Sequence, residues 1–146
     1  SQVEFKSTLR WNLKTKSKDS RLTFQCLKTV VAFLNTDGGT LFVGVRDNGQ
    51  PVGLAIDGFE NEDKLLLFFG NMLNDRIGSK FGNKIRYALY EIGGVDVLRV
   101  DCERSSTPVY LKDKSQELFY TRNGASTAKL TTSEAVHYIK NHYWGD

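Results

Sequence analysis

Val31-Ala-Phe-Leu-Asn-Thr-Asp-Gly-Gly-Thr-Leu-Phe-Val-Gly-Val-Arg-Asp-Asn-Gly-Gln-Pro-Val-Gly-Leu54 decides how this chain folds. An apolar stripe runs into it: Leu27, Val30, Val31 and Leu34 recur at helical spacing, with Phe24 on the same side. A helix is therefore predicted, capped by Asp19 or Ser20 and running to about Asn35. Asp37-Gly38-Gly39 ends it, because glycine supplies the positive φ that stops a helix. Thr40–Val45 then reads as a short strand covered on both faces. Asp47-Asn48-Gly49-Gln50 is a turn, and Pro51–Ile56 is expected to return as the next strand. Such a unit carries Arg46 and Asp47 to the rim of a sheet.

Upstream, Val3–Lys6 reads as a strand and residues 7–18 as a polar, basic loop. Downstream, Asn61 or Glu62 opens a second helix whose apolar stripe is Leu65, Phe68, Phe69, Met72, Leu73 and Ile77. Ile85–Ile92 and Val95–Cys102 are joined at Gly93-Gly94, a hairpin signal. Val109–Lys112 and Leu118–Thr121 are two further short strands. Thr131-Thr-Ser-Glu134 is a capping box opening a last helix to about Tyr143, anchored by Tyr143-Trp144. The order predicts one α+β domain over residues 1–146: a mixed, mostly antiparallel sheet with about three helices packed against it.

With 146 residues, 40% apolar and 25% charged, the chain can bury a proper core. No apolar run approaches the roughly 20 residues that cross a bilayer, so no membrane partner is expected. The opening Ser-Gln-Val-Glu-Phe-Lys has no hydrophobic stretch of a secretory leader, and a start without Met suggests a piece of a longer protein. Cys26 and Cys102 sit in apolar surroundings and are expected to be buried free thiols, as in a cytoplasmic protein. His137 and His142 are five apart, which does not suit a zinc site.

Net charge is only +3, but its distribution is lopsided. Lys6, Arg10, Lys14, Lys16, Lys18 and Arg21 face a single acid, Asp19, in the same segment. Such an arm suits either a polyanion or a solvated linker. Trp11, set among these cations, is open to two readings: a platform for an unpaired base or a lid on the core.

Three segments in order resemble the Schlafen/AlbA-like nucleic-acid-binding domain family. They are Val3-Glu4-Phe5-Lys6; Val31 to Asp47 with Pro51-Val-Gly53; and Phe119-Tyr-Thr-Arg-Asn-Gly-Ala-Ser-Thr127 with Pro108-Val-Tyr110 ahead of it. The resemblance implies a nucleic-acid-binding module, DNA or RNA, within a larger bacterial-type regulatory or defence protein. It also implies possible partners: further domains, or a second copy, since two such lobes pair in animal Schlafen proteins that cleave tRNA and rRNA; the other alternative is a homodimerisation or interaction module that touches no nucleic acid. Nuclease members use two glutamates, an aspartate and a lysine. Glu4 and Lys6 match the second glutamate and the lysine, and the first glutamate would fall before Ser1. Asp47 matches the aspartate to within one position, Arg46 being the other occupant.

The residues themselves allow the same chemistry. Glu4 and Lys6, two apart on a strand, face one side. With Asp47, Glu4 is a candidate ligand for Mg²⁺ or Mn²⁺, and Lys6 a candidate to stabilise a phosphoryl charge. Otherwise, Glu4 and Lys6 form an edge ion pair and Asp47 a turn. Arg122, Asn123, Ser126 and Thr127 offer a guanidinium, a bend and hydroxyls suited to a phosphate oxygen. Arg122 is equally suited to pairing Glu4 or Asp47 across the sheet, and both roles can hold together. Lys6, Arg10, Lys14, Arg46, Arg122, Asn123, Ser126 and Thr127 are thus the candidate backbone contacts. Glu4, Asp47 and Arg122 are expected to share one cationic hollow. No GxxxxGK[ST] stretch is present, so no ATP site is expected.

Overall fold

Residues 2–143, described by a computed structural model, run β1 (Gln2–Lys6), β2 (Trp11–Asn12), β3 (Ser17–Lys18), α1 (Ser20–Asn35), β4 (Gly39–Val43), α2 (Glu62–Arg76), β5 (Ile85–Ile92), β6 (Val95–Cys102), β7 (Leu111–Asp113), β8 (Gln116–Asn123), β9 (Ser126–Leu130) and α3 (Thr132–Tyr143). Short 3₁₀ turns cover Ala55–Asp57 and Ser79–Lys84. The main sheet has the order β1-β4-β6-β5. β1 pairs parallel with β4, and the other pairings are antiparallel. The α+β class, the mixed sheet and the three α-helices agree with the sequence reading.

The turn between α1 and β4 explains the glycine pair. Gly38 takes φ 76°, and a Cβ there would lie 2.6 Å from the Cys102 carbonyl oxygen. No side chain fits that approach, so the chain reverses tightly and lays β4 against its own helix. Leu27, Val30, Val31 and Leu34 from α1 meet Leu41 and Val43 from β4 and Leu98 and Val100 from β6 in the main core. α2 closes the same core through Leu65, Phe69 and Leu73, with Phe69 edge-on to Tyr87 at 5.1 Å. Gly70 permits this, because a Cβ there would come 2.5 Å from the Tyr87 hydroxyl.

β4 alternates fully buried and half-buried residues, so only one sheet face is sealed. This corrects the expectation of a strand covered on both sides. The register puts Val3, Phe5, Thr40, Phe42 and Arg99 on the opposite face, where Val3 stays 54% exposed. A second correction concerns Pro51–Ile56. Only a single bridge, Val45 to Pro51, forms there, and the chain then turns so that Asp57 points inward. The segment 7–18 also differs from a plain loop, since it folds into the β2–β3 ribbon.

The remaining small sheet, β7-β8-β9, packs against α1. Leu118 and Tyr120 on β8 turn toward the main core, while Phe119 joins Ala135 and Ile139 of α3 in a second cluster. Asn35, fully buried at the end of α1, ties these layers together. Its amide donates to the carbonyls of Val109 (2.8 Å) and Tyr120 (3.0 Å), and its oxygen accepts from the Val109 N–H (2.9 Å) and the Tyr143 hydroxyl (3.1 Å). Tyr143 thus anchors α3 as expected, whereas Trp144 lies outside the described residues. The capping box forms, with Glu134 accepting from the Thr131 N–H at 2.9 Å.

Both cysteines are free and buried, and burial pushes each thiol up to about 12. Among the described residues no helix is long and apolar enough to cross a membrane.

Candidate nucleic-acid interface

Three elements converge beside the edge strand. Glu4 and Lys6 project from β1 on the side facing α1, as their pairing with Leu41 and Val43 requires. Gln25, Lys28 and Thr29 stand on one face of α1 at spacings of three and four residues. Arg122, Ser126 and Thr127 come from the β8–β9 hairpin, whose tip turns at Gly124-Ala125. Together they line a hollow of about 310 Å³.

Arg122 is held from every side. Its N–H donates to Thr36 Oγ1 at 2.9 Å, its Nε to Gln2 Oε1 at 2.8 Å and its Nη1 to Thr127 Oγ1 at 3.1 Å. Nη1 also lies 3.2 Å from Glu4 Oε1, and the guanidinium sits 5.1 Å from the Phe33 ring centre. Glu4 reaches Lys6 as well, with Oε2 and Nζ 3.8 Å apart. Arg122 therefore pairs Glu4, one of the two partners foreseen, and not Asp47.

Lys28 completes the set and was absent from the sequence reading. Burial, followed by the charge of Lys6, holds its ammonium below the usual lysine range. Three cations, Lys6, Lys28 and Arg122, thus face this hollow against one carboxylate, Glu4. The surplus positive charge and the hydroxyls of Ser126 and Thr127 make it receptive to an anion.

Asp47 lies next door, not in the same hollow. It lines an adjoining one of about 380 Å³ with Phe5, Trp11, Leu13, Lys14 and Leu22, and the two hollows share Lys6 and Gln25. The expectation of one common hollow is corrected to two that meet. A divalent ion prefers several carboxylate or carbonyl oxygens. Here Glu4 is engaged with Lys6 and Arg122, and Asp47 belongs to the neighbouring cavity. Among the described residues no group of three His, Cys, Asp or Glu side chains comes together for a metal.

The other candidates scatter. Arg10 stacks 3.6 Å above the Phe59 ring centre, and its Nε donates to the Asp57 carbonyl at 2.9 Å. Arg46 is exposed at the β4 turn, and Asn123 at the hairpin tip, its carbonyl accepting from Ser126 Oγ at 3.0 Å. None of the three lines either hollow.

Asp57 is the organiser that sequence reasoning missed. Fully buried, its carboxylate accepts the N–H groups of Leu9 (3.0 Å), Arg10 (2.7 Å) and Trp11 (2.8 Å). The basic arm is thereby pinned rather than free. A third cavity, of about 360 Å³, is lined by Leu54, Leu65 and Leu89 together with Glu62 and Asp96. The Asp96 side chain pushes the Glu62 carboxyl up, and paired acids there repel a polyanion.

An α+β domain with an anion-receptive hollow at the edge of its sheet is the class that fold and site define. The chain belongs to the Schlafen AlbA_2 family, whose model matches residues 1–131, and the family is nucleic-acid-related. Among solved structures, the DIP2311 protein from Corynebacterium diphtheriae shares the fold with a TM-score of 0.64 and 21% identity over 97% of this chain. This chain spans 24% of the length of that protein. The N-terminal domain of a RecG-related protein from Nitrosomonas europaea gives a TM-score of 0.54 and 20% identity over 87% of this chain and 80% of its own. No curated protein matches the chain.

Proposed function

We propose that this domain binds nucleic acid through its sugar-phosphate backbone, seating phosphates in the hollow between β1, α1 and the β8–β9 hairpin. The observation that carries the reading is the convergence of Lys6, Lys28 and Arg122 beside the Ser126 and Thr127 hydroxyls. Phosphate contacts position a strand without reading its sequence. Lys14, exposed on the pinned arm, extends the cationic track. The domain acts as one module of a longer protein, a reading supported by the small share of the DIP2311 protein that it covers.

Binding driven by phosphates releases counterions. For about four contacts to a single strand, log affinity against log salt falls with a slope near −3. Filter binding across a salt series tests this, with Lys6→Glu/Lys28→Glu as the control that flattens the slope. A slope near zero in the wild type eliminates the proposal.

The second reading is a divalent-metal endoribonuclease using Glu4, Lys6 and Asp47, and it has less support. Lys6 beside Glu4 favours it, but the two carboxylates fall in separate hollows. Incubating structured RNA with Mn²⁺ decides, with cleavage lost in Glu4→Ala if this reading holds.

A further inference from the structure

The hollow proposed for the phosphates shares Lys6 and Gln25 with the second one, and the character of the wall differs between the two. Trp11, Leu13 and Leu22 line the second, and none of the three belongs to either buried cluster. Trp11 is half-buried and is not a lid on the core. Its backbone is nevertheless fixed, through its N–H bond to buried Asp57 and its pairing with Lys18. An indole on a fixed backbone, outside the core and beside a cationic track, has the properties of a stacking platform.

We infer that this second hollow receives an unpaired nucleobase stacked on Trp11, so that the domain selects single-stranded nucleic acid over duplex. The inference rests on the phosphate-binding reading above. In a duplex the base faces are covered by their neighbours, and only a splayed base offers its face to a side chain. Because Lys6 and Gln25 line both hollows, the two adjoin, and one nucleotide reaches both, its phosphate toward Lys28 and Arg122 and its base toward Trp11.

Fluorescence anisotropy with three labelled probes of equal length tests this. The probes are an oligothymidylate of about 12 nucleotides, within the range one such groove covers, an abasic deoxyribose-phosphate chain and a blunt duplex. The oligothymidylate is expected to bind roughly tenfold more tightly than either of the others. Trp11→Ala is expected to remove that advantage while leaving abasic binding unchanged, and Trp11→Phe to keep most of it. Equal affinity for all three probes overturns the inference and leaves the phosphate reading standing. So does a Trp11→Ala variant that weakens all three alike. Failure of the wild type to bind any probe overturns both.

Discussion

Arg122 Nη1 stands 3.2 Å from Glu4 Oε1, and the two side chains are 3% and 22% exposed. A guanidinium this deeply buried requires a counter-charge, and the same carboxylate also damps the field of the hollow. Glu4→Gln is therefore expected to move two properties in opposite directions. Stability falls by about 1–2 kcal/mol, less than for a fully buried pair because Glu4 keeps some contact with water. Affinity for an oligonucleotide rises. Urea denaturation and anisotropy measure the two, and weaker binding in a folded Glu4→Gln protein contradicts the argument.

Asp57 satisfies three backbone N–H groups across nearly fifty residues of chain. Asp57→Ala leaves those donors buried without a partner, which costs about 3 kcal/mol. Hydrogen exchange at the Leu9 and Trp11 amides should accelerate beyond the loss in global stability. Unchanged protection there would show that the ribbon holds itself.

Asn35 places one amide among two carbonyls, an N–H and a hydroxyl. Asn35→Ala is expected to cost about 3 kcal/mol. Asn35→Asp should be no better, because a carboxylate cannot donate to the Val109 and Tyr120 carbonyls. Thermal melts of the two variants check the order.

Lys28 gives a pH dependence of defined sign. Its ammonium loses its proton more easily in the folded chain than in the unfolded one, through burial and then the charge of Lys6. Between the folded and the unfolded value the unfolded chain holds more protons, so folding stability rises with pH across that window. Affinity for a phosphate falls over the same alkaline window as the hollow loses a charge. Lys28→Met should flatten both trends, and an affinity in the wild type that stays constant through the window refutes the role.

Local patterns were legible in the sequence, and non-local bonds were not. The apolar stripe of α1, the Gly93-Gly94 hairpin and the Thr131 capping box each lie within a few neighbouring residues, and each formed where read. β9 went unseen because in Ser126–Leu130 only the last three residues alternate apolar and polar, too short a pattern to mark a strand; it is held by pairing with β8. Asp57 has no local pattern that marks it, and only the folded chain brings it under the arm. Lys28 was hidden as an ordinary polar position on an amphipathic helix, although Gln25, Lys28 and Thr29 share a face. Glu4, Lys6 and Arg122 were singled out correctly as neighbours, while Asp47 was assigned to the wrong chamber.

The parallel register of β1, in which Glu4 lies beside Leu41 and Lys6 beside Val43, makes the chemistry of this edge a matter of odd and even. Even-numbered residues of the strand carry the charges inward to the helix, and odd-numbered ones carry Val3 and Phe5 to the far side. A single residue inserted into or deleted from this strand would exchange the two sets, leaving Arg122 without its carboxylate and driving a phenyl ring into the place of Glu4. Within this strand the sequence can therefore lengthen or shorten only by twos.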